Sequence, residues 1–405
     1  MKAACTIASL NYLPKIRTFA HSFNKHNQNI NIFVLLVDDS STNKDYSSEP
    51  FNVIHTKDLQ IEDFLLIAFK FNIIELNTSL KPSFIKFLFN NKKVSKLLYF
   101  DPDIFVFAPL DSLFDELDRH PALLTPHILS PGTADAILPD TAFLRFGVFN
   151  LGFIGMRLTG EISQLLDWWE YRCLYFGNID VTEGIFVDQK WVNLFPCFSN
   201  DISILRLPGC NMAYWNLHER RLSKSADGWL VNDSSRLMFF HFSNLNPADK
   251  ESIKKSLVKP TLKEREDLRG IFSDYREQLY RHGYKEEETV PYHYDYYSNG
   301  LPIGGLARRM VGSSFETFRG ENPFDASGKV YRWIMSNHLN GATRKKEINL
   351  DSRGNRVKIS ILDGCLRTAF HMLGADNYQN LLYYLQEISS FSHQAKILKL
   401  ERKHI

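Results

Sequence analysis

Two carboxylates separated by one residue, Asp101 and Asp103, stand in the run Leu97-Leu98-Tyr99-Phe100-Asp101-Pro102-Asp103-Ile104-Phe105-Val106-Phe107. On a rigid strand edge such a pair can present oxygens to one hard divalent cation, which prefers carboxylate, phosphate and water ligands. Pro102 fixes a backbone torsion between them, and the apolar runs on both sides hold the loop in place. For Asp-x-Asp alone, a plain Asp-Pro turn is the competing reading. His241 closes a second apolar run, Leu237-Met238-Phe239-Phe240, and is expected at a strand end. Its imidazole nitrogen suits Mn2+, with nucleotide phosphate oxygens filling the open positions; a hydrogen-bonded, half-buried histidine is the alternative.

The elements that would position these groups follow from the hydrophobic pattern. Short β-rich runs alternate with amphipathic stretches through the first 110 residues, as in a parallel sheet covered by helices. Strands are expected at Ala3 to Ser9, Ile32 to Val37, Phe51 to Ile54, Lys96 to Phe100, Ile104 to Phe107 and Val148 to Met156. Arg236 to Phe240 is expected as a further strand that delivers His241. Helices are expected at Pro14 to Lys25, with Pro14 in the first turn, at Ser79 to Phe89 and at Glu161 to Phe176, and a helix start at Phe186 to Trp191. The Asp101/Asp103 pair then lies at the carboxyl end of a buried strand, where open α/β sheets place ligands. Beyond about residue 250 the sequence becomes charged and helical, with a Tyr-rich connector from Tyr292 to Asn299, so two regions are expected, 1–250 and 251–405.

Composition sets outer bounds. The chain has 405 residues, 44% apolar and 23% charged, enough apolar material for a large core. Its 48 Lys and Arg nearly balance 46 Asp and Glu, which argues against a dedicated nucleic-acid binder. No stretch approaches the roughly 20 apolar residues of a membrane span, and the N-terminus lacks the pattern of a cleaved leader. Cys5, Cys173, Cys197, Cys210 and Cys365 are far apart with no Cys-x-x-Cys, so they read as reduced, mostly packed thiols.

Seven segments occur in a telling order: TIASLNYLPKI, ELNTSLKP, LLYFDPDIFVF, FNLGFIGM, FVDQKWVN, AYWNLHER and FFHFSN. With them, residues 1–250 resemble nucleotide-sugar glycosyltransferases of the glycosyltransferase-A fold, particularly the retaining family 8 enzymes such as glycogenin and lipopolysaccharide galactosyltransferases. The resemblance implies a Rossmann-like, mostly parallel α/β sheet with flanking helices, followed by a largely helical C-terminal segment. It also implies a Mn2+ or Mg2+ ion held by Asp101, Asp103 and His241 against the diphosphate of a donor such as a UDP-sugar. Asn150, Gly152, Asp188, Gln189, Trp215 and Asn216 would line the donor sugar and acceptor hydroxyl. Thr6, Ala8, Ser9, Asn11, Tyr12 and Asp39 would receive the base and ribose, and Lys81 would lie near the donor phosphates. Asp188 is the carboxylate best suited to charge developing on the sugar, with Gln189 orienting it, under either retention or inversion. Tyr214, Trp215, Asn216 and His218 offer the aromatic faces and amides that suit an acceptor sugar.

Two departures stand out. In the family the histidine is followed by a Gly and a Lys-Pro that grips the diphosphate, whereas here His241-Phe242-Ser243-Asn244 leads to Asn246-Pro247. Lys250, Lys254 or Lys255 would then have to supply the charge. The early acidic tandem is replaced by Ser9-Leu10-Asn11-Tyr12. The rival enzymatic reading is a sugar nucleotidyltransferase, whose Gly-rich phosphate loop is missing from TIASLNYLPKI; a noncatalytic glycan-binding scaffold is the other. The expected partners are a nucleotide-sugar donor and a glycan or lipid-linked saccharide acceptor, in a cytoplasmic protein that contacts a membrane peripherally if its acceptor is lipid-linked.

Overall fold

Seven strands form the main sheet of the computed structural model, which describes residues 1–38, 45–134, 136–255, 257, 259–340, 353–389 and 393–394. In chain order the strands are β1 Lys2–Ala8, β2 Asn31–Leu36, β3 Asn52–His55, β4 Lys96–Phe100, β5 Ile104–Val106, β6 Ala122–Pro126 and β7 Phe149–Arg157. They continue with β8 Ile179–Asp180, β9 Ile185–Phe186, β10 Ile202–Ile204, β11 Leu222–Ser225, β12 Gly228–Val231, β13 Ser235–Arg236 and β14 Phe239–His241. The main sheet runs β10-β6-β7-β4-β1-β2-β3, and every neighbouring pair is parallel except those made by β7. This is the mostly parallel α/β sheet expected. Its central strands read as nearly continuous apolar runs because helices cover both faces.

Helix Leu13–His26 begins with Pro14 in its first turn and buries Ile16, Phe19, Ala20 and Phe23 against the sheet. Phe100 packs among Phe19, Phe23, Phe153 and Phe239 with ring centroids 5.3 to 6.1 Å apart. Each buried aromatic of this kind contributes about 1.5–3 kcal/mol, so the strand that ends at Asp101 is firmly seated.

The single strand expected from Arg236 to Phe240 divides in two. β13 belongs to a three-stranded antiparallel sheet with β11 and β12, whereas β14 pairs with β5. Gly209 accounts for the path between them, since its missing Cβ would lie 1.9 Å from the Arg236 carbonyl oxygen. The chain crosses there: the Leu237 N–H still donates to the Trp229 carbonyl of β12 at 2.9 Å, and the Met238 carbonyl already accepts from the Phe107 N–H at 2.8 Å.

The chain divides into two compact units, one of residues 1–62 and 73–293 and the other of 63–72 and 294–405. The composition change near residue 250 falls inside the first unit, because Ile253, Leu262, Leu268, Ile271 and Phe272 pack in one cluster with Phe240 and Phe242. In the second unit, the buried Arg308 guanidinium donates to the carbonyls of Phe69 (2.9 Å), Phe71 (2.8 Å) and Tyr294 (2.7 Å). It thereby satisfies acceptors at the end of helix Phe64–Lys70. Tyr294 and Tyr297 are buried, with rings against Phe64, Phe69 and Phe324, whereas Tyr296 is exposed. None of the described helices is long and apolar enough to cross a membrane.

Candidate metal centre

Asp101 follows β4 directly, and its backbone N–H donates to the Gly152 carbonyl at 2.8 Å. The turn through Pro102 is closed by Ile104 N–H to Asp101 O at 3.1 Å, so Asp103 projects just before β5. β14 is antiparallel to β5 with His241 opposite Ile104, and the Phe242 N–H donates to Asp103 O at 2.9 Å. This ladder brings together residues 138 positions apart (241 − 103). His241 Nε2 lies 3.0 Å from Asp103 Oδ1 and 3.8 Å from Asp101 Oδ2. One ligand atom from each of Asp101, Asp103 and His241 falls within 4.8 Å of the others, the grouping that a single cation requires.

The face of His241 turned away from the carboxylates is fixed by Asn150. Its Oδ1 accepts from the Gly152 N–H at 3.1 Å and from Asn211 Nδ2 at 2.9 Å, so that oxygen is the acceptor toward His241 Nδ1 at 3.3 Å. The histidine therefore carries a proton on Nδ1, and its neutral form points the Nε2 lone pair at the carboxylates. Gly152 makes room: a Cβ there would lie 2.4 Å from His241 Cε1. Trp215 closes another side, with its ring edge-on to His241 at 5.2 Å between centroids. Tyr99 donates its phenolic hydrogen to Asp101 Oδ1 at 2.8 Å. Two carboxylates and an oriented imidazole are a donor set that fits Mn2+ or Mg2+.

Electrostatics bind the pair without any metal. Burial alone raises the Asp103 carboxyl, but His241 overrides it and, with a smaller pull from Lys15, holds the group down at about 2. Burial opposes charge on His241, yet Asp103 and then Asp101 raise its pKa above the ordinary histidine value. His127 differs. Burial pushes it down to about 4, and its Nε2 faces the Asn150 amide nitrogen at 3.3 Å. That contact assigns its proton to Nδ1, which has no hydrogen-bond partner among the described residues; Trp215 Nε1 and Asn211 Oδ1 are likewise buried and without a partner among them. A buried polar atom without a partner calls for an explanation, and a ligand or ion bound beside it is one.

The remaining residues singled out from sequence fall into distinct places. Asp188 is buried and ion-paired to Lys81 Nζ at 2.5 Å, while Lys81 also donates to the Leu151 carbonyl at 2.8 Å and lies 4.3 Å above the Tyr99 ring. Lys81 opens the helix Lys81–Asn91 and is engaged in the interior with a carboxylate. Burial pushes the Asp188 carboxyl up and the Lys81 ammonium opposes it. Gln189 Oε1 accepts from the Leu151 N–H at 3.0 Å and its Nε2 donates to Phe146 O at 3.1 Å, so it props β7 and with it Asn150.

Thr6, Ala8 and Ser9 are buried, and Ser9 exchanges hydrogen bonds with Asn77. Asn11 and Tyr12 are half-buried, and Asp39 lies outside the described residues. Its neighbour Asp38 accepts from the Leu10 N–H at 2.8 Å and ties the end of β2 to the loop after β1. Asn216 is buried and staples its own turn, accepting from the Ala213 N–H and donating to the carbonyls of His127 and Asn211. His218 lines a cavity of about 420 Å3 with Leu217, Arg221 and Pro260. Lys254 holds its ammonium 4.3 Å above the Tyr214 ring, and the Lys255 N–H donates to Asn244 O, so this basic stretch folds back beside the segment after His241.

Sequence reading passed over Tyr99, His127 and Lys15. Tyr99 had a signal, because residues two apart along a strand share a face and Asp101 directly follows the strand that holds Tyr99. Lys15 had a weaker one, as a cation in the first turn after β1. His127 had none, since only tertiary packing sets it beside Asn150.

No protein-family model matches the chain. It is similar to two proteins of Bacillus subtilis (strain 168): the uncharacterized protein YfnF, 24% identical over 68% of this chain and 91% of that one, and the uncharacterized protein YfnD, 26% identical over 59% and 76%. Among solved structures it is similar to the galactosyltransferase LgtC in complex with donor and acceptor sugar analogs. The TM-score there is 0.41, with 15% identity over 72% of this chain and 98% of that one. The glycosyltransferase GlyE of Streptococcus pneumoniae TIGR4 gives a TM-score of 0.40 with 16% identity, covering 73% and 67%.

Proposed function

We propose that this protein is a metal-dependent glycosyltransferase that moves a sugar from a nucleotide diphosphate donor, a UDP-sugar, to a glycan or other surface-polymer acceptor with retention of configuration. The observation that carries this reading is the grouping of Asp101, Asp103 and His241, in which the imidazole is pre-set by Asn150 with Nε2 toward both carboxylates. The seven ordered segments around these residues support the donor class.

When bound there, Mn2+ or Mg2+ neutralises charge on the departing diphosphate as a Lewis acid and template. Asp101 and Asp103 would hold it by carboxylate oxygens and His241 by Nε2. Tyr99 fixes the Asp101 carboxylate, and Gly152 and Asn150 fix the imidazole, so little reorganisation is required on binding. Trp215 walls the His241 side of the centre. From the interior, the Asp188 carboxyl faces a sugar that gains positive charge, and the Lys81 ammonium favours its ionised form against burial. Lys254 supplies the cation that the sequence after His241 lacks.

The test is nucleotide release from a panel of nucleotide sugars with Mn2+ or with EDTA, alongside calorimetric titration of each nucleotide. Release from one donor with metal, lost in Asp103→Ala, is the expected result. Absence of both release and metal-dependent nucleotide binding would refute the assignment.

A further inference from the structure

A cleft of about 370 Å3 lies between helices Leu13–His26 and Arg269–Arg281, the β5 strand and the β11-β12-β13 sheet. Its size is typical of clefts that take small ligands. Phe105 and Phe107 form part of its floor. They alternate with Ile104 and Val106, which face the core, and their rings lie 5.0 Å apart and half-buried. Trp229 enters from β12 and packs its ring edge on Gly270, where a Cβ would come within 2.7 Å of Trp229 Cη2. The absence of a side chain at position 270 therefore admits the indole at this depth.

The polar rim narrows the chemistry. Lys25 and Arg236 face Asp227, Asp274 and Glu277, so two cations meet three anions and the cleft has no dominant sign for an ionic ligand. His26 adds no charge at neutral pH, because burial lowers its pKa below the ordinary value. Asp274 and Gln278 carry side chains with no hydrogen-bond partner among the described residues, and partial burial raises the Asp274 carboxyl. Aromatic faces beside unpaired planar hydrogen-bonding groups suit a neutral polyhydroxylated ring, whose apolar face packs on the aromatics while its edge takes the polar groups.

We propose that this cleft is a second saccharide-binding site, which holds an uncharged stretch of the acceptor glycan apart from the metal centre. Phe105 and Phe107 lie two and four residues beyond Asp103 on one strand, roughly 7 and 13 Å along it. An extended glycan covers such a span, so one polymer chain can be held at both places. The inference rests on the glycosyltransferase reading only for what the saccharide is used for.

The experiment is binding of the full chain to an array of bacterial surface glycans and neutral oligosaccharides, in EDTA and without nucleotide. A set of neutral glycans is expected to be retained by the wild type and by Asp103→Asn, and at least tenfold less by Trp229→Ala and by the rim variants Gln278→Ala and Asp274→Ala. The rim variants guard against misfolding of Trp229→Ala. Retention of no glycan overturns the proposal, as does equal retention by wild type and rim variants, or loss in Asp103→Asn. Absence of both nucleotide release and metal-dependent nucleotide binding in the separate assays would refute the catalytic reading and leave the array result standing.

Discussion

Two acid–base pairs flank the same three residues of β7, Asn150 to Gly152, and they are built for opposite purposes. His241 and Asp103 meet at 3.0 Å with side chains 5% and 14% exposed, beside Asp101 at 30%. Lys81 and Asp188 meet at 2.5 Å with side chains 1% and 2% exposed. The imidazole can give up its proton and offer Nε2 to a cation, so its partnership with Asp103 is exchangeable. The ammonium is pinned by Asp188, the Leu151 carbonyl and the Tyr99 ring, and neither charge can be released to water without large cost. The difference shows how one site separates labour: the fixed pair holds the strand and the tyrosine that present the exchangeable one.

Breaking the exchangeable pair is expected to have the largest effect. Asp103→Ala should lower metal-dependent nucleotide release roughly a thousandfold, with thermal unfolding in EDTA showing that the fold persists. Breaking the fixed pair should act on stability instead. Lys81→Met leaves a buried unpaired carboxylate and should cost about 3–5 kcal/mol, measured by urea unfolding. The double change Lys81→Met/Asp188→Leu should regain most of that loss, and a double variant as unstable as the single would contradict the view that the pair's cost lies in its charges.

An acid titration sharpens the comparison through His127, which sits behind Asn150. Its folded pKa of about 4 is below the ordinary 6.5, so below pH 6.5 the unfolded chain takes up a proton that the folded chain refuses. The folded state should therefore lose up to about 3 kcal/mol between pH 6.5 and 4 on account of this residue. Comparing urea midpoints of wild type and His127→Gln isolates that slope; identical slopes would show that His127 charges readily in the fold. The smallest effect is expected from Asn150→Ala, which frees the His241 ring without removing a ligand. It should weaken Mn2+ binding about 10–100-fold, by calorimetry, and Gly152→Ala should match it because its Cβ displaces the same ring.

Much of the scaffold was legible because apolar runs in central strands are long and helix starts are marked, as by Pro14. Asp101 and Asp103 were legible because their spacing is local and their flanks are apolar. The β13/β14 break was not, since Arg236 to Phe240 carries one unbroken pattern and only the crossing at Gly209 forces the chain to change partners. Asn150 and Gly152 were visible as a motif, but their service to His241 depends on contacts 91 residues distant in sequence. Lys81 was expected near the donor phosphates, and nothing local reveals that Asp188 lies 2.5 Å from it.

The sequence by itself determined the mostly parallel sheet, the strand that ends in the two carboxylates and the type of cation they suit, because these depend on short-range periodicity and ligand chemistry. Tertiary structure decided which histidine nitrogen faces the carboxylates, which charges are buried and paired, and where an aromatic cleft forms beside β5. Those outcomes depend on distances between segments far apart in the chain, and such distances are set by packing, which no local pattern encodes.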